Sequence, residues 1–179
     1  MPDFIADVFD ILTATHIIVL IMKIESLNNH PGLIPTVVTW WFNEWSHLNP
    51  DPANTLEKAI NSLREKLNND EPLPHVLLAF ENEQVVGVAS LKMYELHGHF
   101  PKTPYWLGSV YVDKPARGAG FASTLVREIE QVAIDMNIPT LHLATEQLDG
   151  GLYKRLGWQP LTKVMDRGDE VLVMNKRLF

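Results

Sequence analysis

The chain contains no cysteine. Disulfides, thiolate metal sites and cysteine nucleophiles are therefore excluded, and with no redox constraint a cytoplasmic location is expected. Positive charge is also scarce: the 179 residues carry a formal net charge of −7, whereas a nucleic-acid partner would need a basic footprint. An acidic surface instead suits cationic small molecules. Long apolar runs are missing as well. The longest near the N-terminus, Ile17 to Met22, falls far short of the ~20 residues that span a membrane. Asp3, Asp7 and Asp10 stand where a signal peptide would be positive, so neither export nor a membrane partner is expected.

What is present reads as a folded domain. Hydrophobic residues make up 46% and charged residues 21%, a globular balance in a chain long enough for a real core. Residues 1–21 stand apart as an N-terminal extension. Phe4, Ile5, Val8, Phe9, Ile11 and Leu12 fall at helical spacing, as in a short amphipathic helix that docks on the domain or on a second copy, giving a homodimer. The alternative is an upstream addition ahead of Met22. Residues 22–179 show no repeat, linker or low-complexity stretch and read as one α+β domain.

Within that domain Lys23 to Leu27, extended backward toward Ile17, reads as a strand. Leu33, Val37, Trp40, Trp41 and Trp45 recur at helical steps, giving a helix with an aromatic face. Leu56, Ile60, Leu63 and Leu67 mark a second helix. His75 to Phe80 and Val85 to Tyr94 form a hairpin about a polar turn. Residues 95 to 104 form a loop, and Tyr105 to Val112 is again a strand. Phe121 to Met136 is a long amphipathic helix, Leu141 to Ala144 a short strand, and Leu148 to Leu156 a short helix. A hairpin of 159–165 with 170–178 completes the pattern.

The chemistry concentrates after the strand ending at Val112. Arg117-Gly118-Ala119-Gly120-Phe121-Ala122 opens the long helix. Its glycines let backbone N–H groups approach an anion, and a helix start adds unpaired donors and the positive end of the dipole. Ala119, Ala122 and Ser123 keep the approach open, and Arg117 adds a positive charge. A bare Gly-x-Gly is more often a plain turn. A dinucleotide site would want a third glycine at Ser123 and an acidic residue closing the next strand, which instead ends at Ala144-Thr145. A Walker loop would want Gly-Lys-Ser/Thr, which is absent.

Arg117-x-x-Gly120-x-Ala122 resembles the Arg/Gln-x-x-Gly-x-Gly/Ala signature of the GNAT N-acetyltransferase superfamily. Tyr153-x-x-x-Gly157-Trp158 resembles that family's downstream segment, with one strand between. The resemblance implies a GNAT fold: a mixed, mostly antiparallel sheet of six to seven strands flanked by about four helices. It implies acetyl-CoA as co-substrate, with no metal, and direct attack by a primary amine of a small molecule or peptide within one ternary complex. The lack of cysteine agrees, since no acetyl-cysteine intermediate can form.

By the same resemblance, Val110, Tyr111 and Val112 would bind the pantetheine arm and one N–H would polarise the thioester, while Gly118 to Ser123 would take the pyrophosphate. Gly108 would mark the bulge that splays this strand. Tyr153 is the candidate general acid, Glu95 the first candidate base and Glu146 the second. The family's asparagine near position 146 is replaced by Glu146-Gln147-Leu148-Asp149. Trp41, Trp45, His97, His99 and Phe100 are candidate walls for the acceptor. A metal at His97 and His99 lacks a third ligand nearby. An acyl-CoA-binding or regulatory module without turnover, and a structural domain with an empty loop, are the competing classes.

Overall fold

The computed structural model describes residues 22–48, 51–69 and 71–179. The expected amphipathic helix at residues 4–12, and the backward extension of the first strand to Ile17, lie outside them. One seven-stranded sheet runs through the described residues in the order β1-β2-β3-β4-β5-β7-β6. Its strands are β1 (Met22–Ser26), β2 (His75–Glu81), β3 (Gln84–Lys92), β4 (Trp106–Val112), β5 (Thr140–Thr145), β6 (Gln159–Asp166) and β7 (Asp169–Arg177). Only β4 and β5 pair parallel. A parallel pair needs a crossover, and the long helix α3 (Phe121–Asp135) supplies it. The other helices are α1 (Ile34–Trp45), α2 (Leu56–Asn68) and α4 (Gly151–Arg155).

Strand alternation in β2 builds both layers. Val76, Leu78 and Phe80 join Ile34, Val37, Val38 and Leu63 of α1 and α2 in one core. Leu77 and Ala79 face the other way and pack with Phe121, Leu125, Val126 and Ile129 of α3. Gly87 of β3 sits where that helix comes closest: a Cβ there would lie 3.0 Å from Tyr111 O and 3.2 Å from Leu125 Cδ1.

Boundaries differ from the sequence reading where local turns intervene. Asn82 and Glu83 both take positive φ, +48° and +70°, as the tight turn of a two-residue hairpin requires. Tyr105, expected to open β4, has φ +66° and stays in the preceding loop. The expected helix from Leu148 shrinks to Gly151–Arg155. Gly150 N–H donates to Gln147 O at 2.8 Å and Gly151 N–H to Asp149 Oδ1 at 3.0 Å, so residues 147–150 form a turn instead.

Candidate active site

The sheet opens between β4 and β5. The two strands pair only at Trp106 and His142, and beyond that point β4 keeps an unpaired edge. The cause is a bulge. Val88 pairs with Tyr111 and Ser90 with Gly108, so Ala89 alone faces Ser109 and Val110. The left-handed residue of the bulge is Ser109, at φ +54°, and Gly108, expected to mark the bulge, flanks it. Gly108 is small for a different reason: a Cβ on it would lie 2.7 Å from Glu95 Oε2 and 2.9 Å from Lys92 Nζ.

Backbone alternation identifies what the open edge presents. Asp113 N–H donates to Val86 O at 2.8 Å, so residue 113 faces β3. Val112 and Val110 therefore turn their backbone groups toward the gap. Arg117 uses part of this edge: its Nε donates to Val112 O at 2.9 Å, and its guanidinium lies 5.7 Å from the centre of the Tyr111 ring. Trp40 stacks on Tyr111 at 5.3 Å.

The loop after β4 is built on a tight turn and two left-handed glycines. Asp113 Oδ1 accepts from Lys114 N–H at 2.9 Å, starting a tight turn over Lys114–Ala116 with Ala116 buried. Gly118 and Gly120 follow at φ +87° and +91°, and a Cβ on either would meet nothing within 4 Å. Conformation, more than crowding, is thus what asks for glycine here. From Gly118 to Ser123 no backbone N–H donates a hydrogen bond of good geometry among the described residues. The 15-residue helix α3 points its N-terminus at the same place. Ala119 is exposed and outside the cleft lining, whereas Gly118, Gly120, Phe121, Ala122 and Ser123 contribute to it.

Tyr153 stands on α4 and lines the same cleft. Its ring meets Trp158 edge-on, with centroids 6.3 Å apart. Burial pushes its phenol up to about 12. Behind it lies a network that the sequence did not announce. Buried Glu130 of α3 accepts from Trp158 Nε1 at 2.8 Å and from Lys176 Nζ at 2.7 Å, and Lys176 also donates to Leu156 O at 2.8 Å. These partners lie 28 and 46 residues apart, so no local pattern could have revealed them.

The cleft has a volume of about 1560 Å³, above the roughly 300–1,000 Å³ of a drug-sized pocket. Trp41 and Trp45 line it, and so do Glu95 and exposed Glu146. Glu95 Oε2 accepts from Lys92 Nζ at 2.6 Å. His97, His99 and Phe100, expected as walls, do not line the cleft. Phe100 packs on Trp106 at 5.8 Å, His97 on Tyr94 at 5.3 Å, and His99 approaches Asp166 at 3.8 Å. Among the described residues no three His, Asp or Glu side chains gather as a metal site, and no helix is long and apolar enough to cross a membrane.

Residues 34–158 match the Acetyltransferase (GNAT) family. No curated protein matches the sequence. Solved structures share the fold at low identity. An aminoglycoside 6'-N-acetyltransferase complexed with coenzyme A is 16% identical with a TM-score of 0.67, over 88% of this chain and 97% of that one. An N-acetyltransferase from Staphylococcus aureus Mu50 is 16% identical with a TM-score of 0.66, over 89% and 99%. A ribosomal-protein-alanine N-acetyltransferase from Brucella melitensis is 22% identical with a TM-score of 0.64, over 88% and 99%.

Proposed function

Because the chain belongs to the GNAT acetyltransferase family, with acetyl-CoA as its co-substrate, we propose that it acetylates a primary amine of a small molecule or peptide by direct attack in a ternary complex. Residues 22–179 serve as the catalytic domain. The observation that carries this reading is the cleft beside β4, which joins an unpaired strand edge, the free amides of Gly118 to Ser123 and Tyr153 in one cavity.

In this reading the pyrophosphate lies on the loop amides and the helix start. The pantetheine arm runs along Val110 and Val112 as an added strand, and the Val110 N–H polarises the thioester carbonyl. Holding both reactants in one cleft supplies orientation and proximity. The amine must arrive neutral. Glu95 is the base nearest the bulge, its carboxylate already receiving one ammonium from Lys92, and Glu146 is the alternative through water. As the tetrahedral adduct collapses, Tyr153 donates a hydrogen bond to the departing sulfur.

Thiol release from acetyl-CoA, measured against aminoglycosides, polyamines and peptides with free N-termini, tests the proposal. The expected result is turnover with one class and an acetyl group on the amine nitrogen of the product. Acetyl-CoA binding without turnover on any class would make the chain a silent coenzyme-binding module. Absence of binding would leave only a structural role for the loop.

A further inference from the structure

The bulge of β4 rests on a residue that does not favour its shape. Ser109 has φ +54°, a left-handed conformation that L residues other than Asn and Asp seldom adopt. Two side chains hold it there. Buried Ser90 donates from Oγ to Gly108 O at 3.0 Å, and Trp41 of α1 donates from Nε1 to Ser109 O at 3.2 Å. The second bond has a directional consequence. The Ser109–Val110 peptide is trans, and in a trans peptide C=O and N–H point in opposite directions within one plane. Fixing Ser109 O on the indole therefore turns the Val110 N–H away from α1. Strand alternation places that N–H on the edge that β5 leaves unpaired.

We propose that Trp41 is a positioning residue for acyl transfer: its indole N–H locks the Ser109–Val110 peptide so that the Val110 N–H meets the thioester carbonyl. The inference rests on the acetyl-CoA reading above. Trp40 supports the arrangement from the neighbouring position, stacked on Tyr111. Helix α1 therefore grips the β4 arm at two points, one on each side of Val110. A merely structural tryptophan would hold the helix to the sheet without caring which way one amide faces.

The test uses the full chain and acetyl-CoA labelled with ¹³C at the thioester carbonyl, with infrared difference spectra of the bound coenzyme. In the unaltered protein the carbonyl band should lie below that of free acetyl-CoA. Trp41→Phe keeps the ring and removes the donor; its band should return toward the free value. Its preference for acetyl-CoA over CoA, which lacks the carbonyl, should fall roughly 3- to 10-fold, the range for losing one hydrogen bond. Affinity for CoA itself should stay within about twofold, because the loop amides are untouched. Adding Ser109→Gly, which takes the left-handed conformation without help, should move the band back toward that of the unaltered protein. A Trp41→Phe band coincident with the unaltered one overturns this inference alone, as does a parallel loss of CoA affinity or a double variant that is not restored. If the unaltered protein binds no acetyl-CoA, the coenzyme reading falls and this inference falls with it.

Discussion

Replacing Tyr153 by phenylalanine separates two roles that a phenol can play at a departing thiolate. Burial raises the phenol from its ordinary 10.0 to about 12, while a free thiol titrates near ~8.5. Handing the proton over completely would run uphill by about 3.5 units, or about 4.8 kcal/mol. On the proposed mechanism Tyr153 would therefore steady the sulfur by a hydrogen bond, with the proton lost by the attacking nitrogen balancing the thiol at the end. A hydrogen bond to a charged group contributes ~1.5–3 kcal/mol, which predicts a fall in kcat of roughly 10- to 150-fold. The KM for acetyl-CoA should change by less than about threefold, because the bond forms only as charge develops. Steady-state rates with an amine that supports turnover, followed from about pH 6 to about pH 10.5, read both quantities. No alkaline limb belonging to Tyr153 should appear in that window, because its phenol remains protonated below about 12. The same shift has a stability consequence. A pKa higher in the folded chain stabilises fully below the unfolded value of 10.0 and is lost as pH rises through about 12. Up to about 2.7 kcal/mol is at stake in that interval, and Tyr153→Phe should lack this loss in alkaline urea titrations. Full activity in the phenylalanine variant, or a rate limb near pH ~10 that vanishes with the hydroxyl, would refute the reasoning.

Three further perturbations test other parts of the structure. Gly120→Ala forces a Cβ onto a residue at φ +91°, costing about 1–2 kcal/mol; the melting temperature should fall by a few degrees and calorimetry should show roughly tenfold weaker CoA binding as the loop amides shift. Glu130→Ala strands the Trp158 indole and the Lys176 ammonium, and urea unfolding should show a loss of about 2–4 kcal/mol, with Glu130→Gln losing about half of that. Burial pushes the imidazole of half-buried His75 below its ordinary 6.5. Its contribution is present above 6.5 and is lost as pH falls through the lower folded value, so His75→Gln should narrow the difference in urea midpoint between about pH 8 and about pH 5.

Much of the fold was legible because it is written in short-range spacing. The apolar steps Leu56, Ile60, Leu63 and Leu67 place α2 within a residue of its observed limits, and those from Phe121 onward do the same for α3. The boundary at α4 was misread because Asp149 competes for Gly151 N–H and turns the chain before the helix starts. The resemblance places the bulge at Gly108, which flanks it. Ser109 takes the left-handed conformation, under bonds from Ser90 and from Trp41, which stands 68 residues away. His97, His99 and Phe100 lay in a suitable loop, yet the packing of Phe100 on Trp106 decides where that loop turns.

These successes and failures divide along one physical line. On the proposed reading, the donor half of the cleft would come from the continuous stretch of β4, its loop and the start of α3, and would work largely through backbone groups. A sequence can signal free backbone donors by glycine and small residues in order, as residues 117–123 do. The rest of the cleft lining comes from side chains on α1, α2, β3 with its following loop, and the β6–β7 hairpin, among them Trp41, Lys92, Glu95 and Asp166. Lys92 and Glu95 pair across three residues, but no local spacing joins them to Trp41 or Asp166. On the proposed reading, substitutions there would leave the strand edge and loop amides intact, so the acceptor could change while the coenzyme frame stays fixed. Trp41 is where the two halves touch, since it lines the cleft and also holds the Ser109 carbonyl of β4. If Trp41 positions the Val110 amide as proposed, an acceptor that displaces it would loosen that amide and so couple acceptor fit to thioester activation.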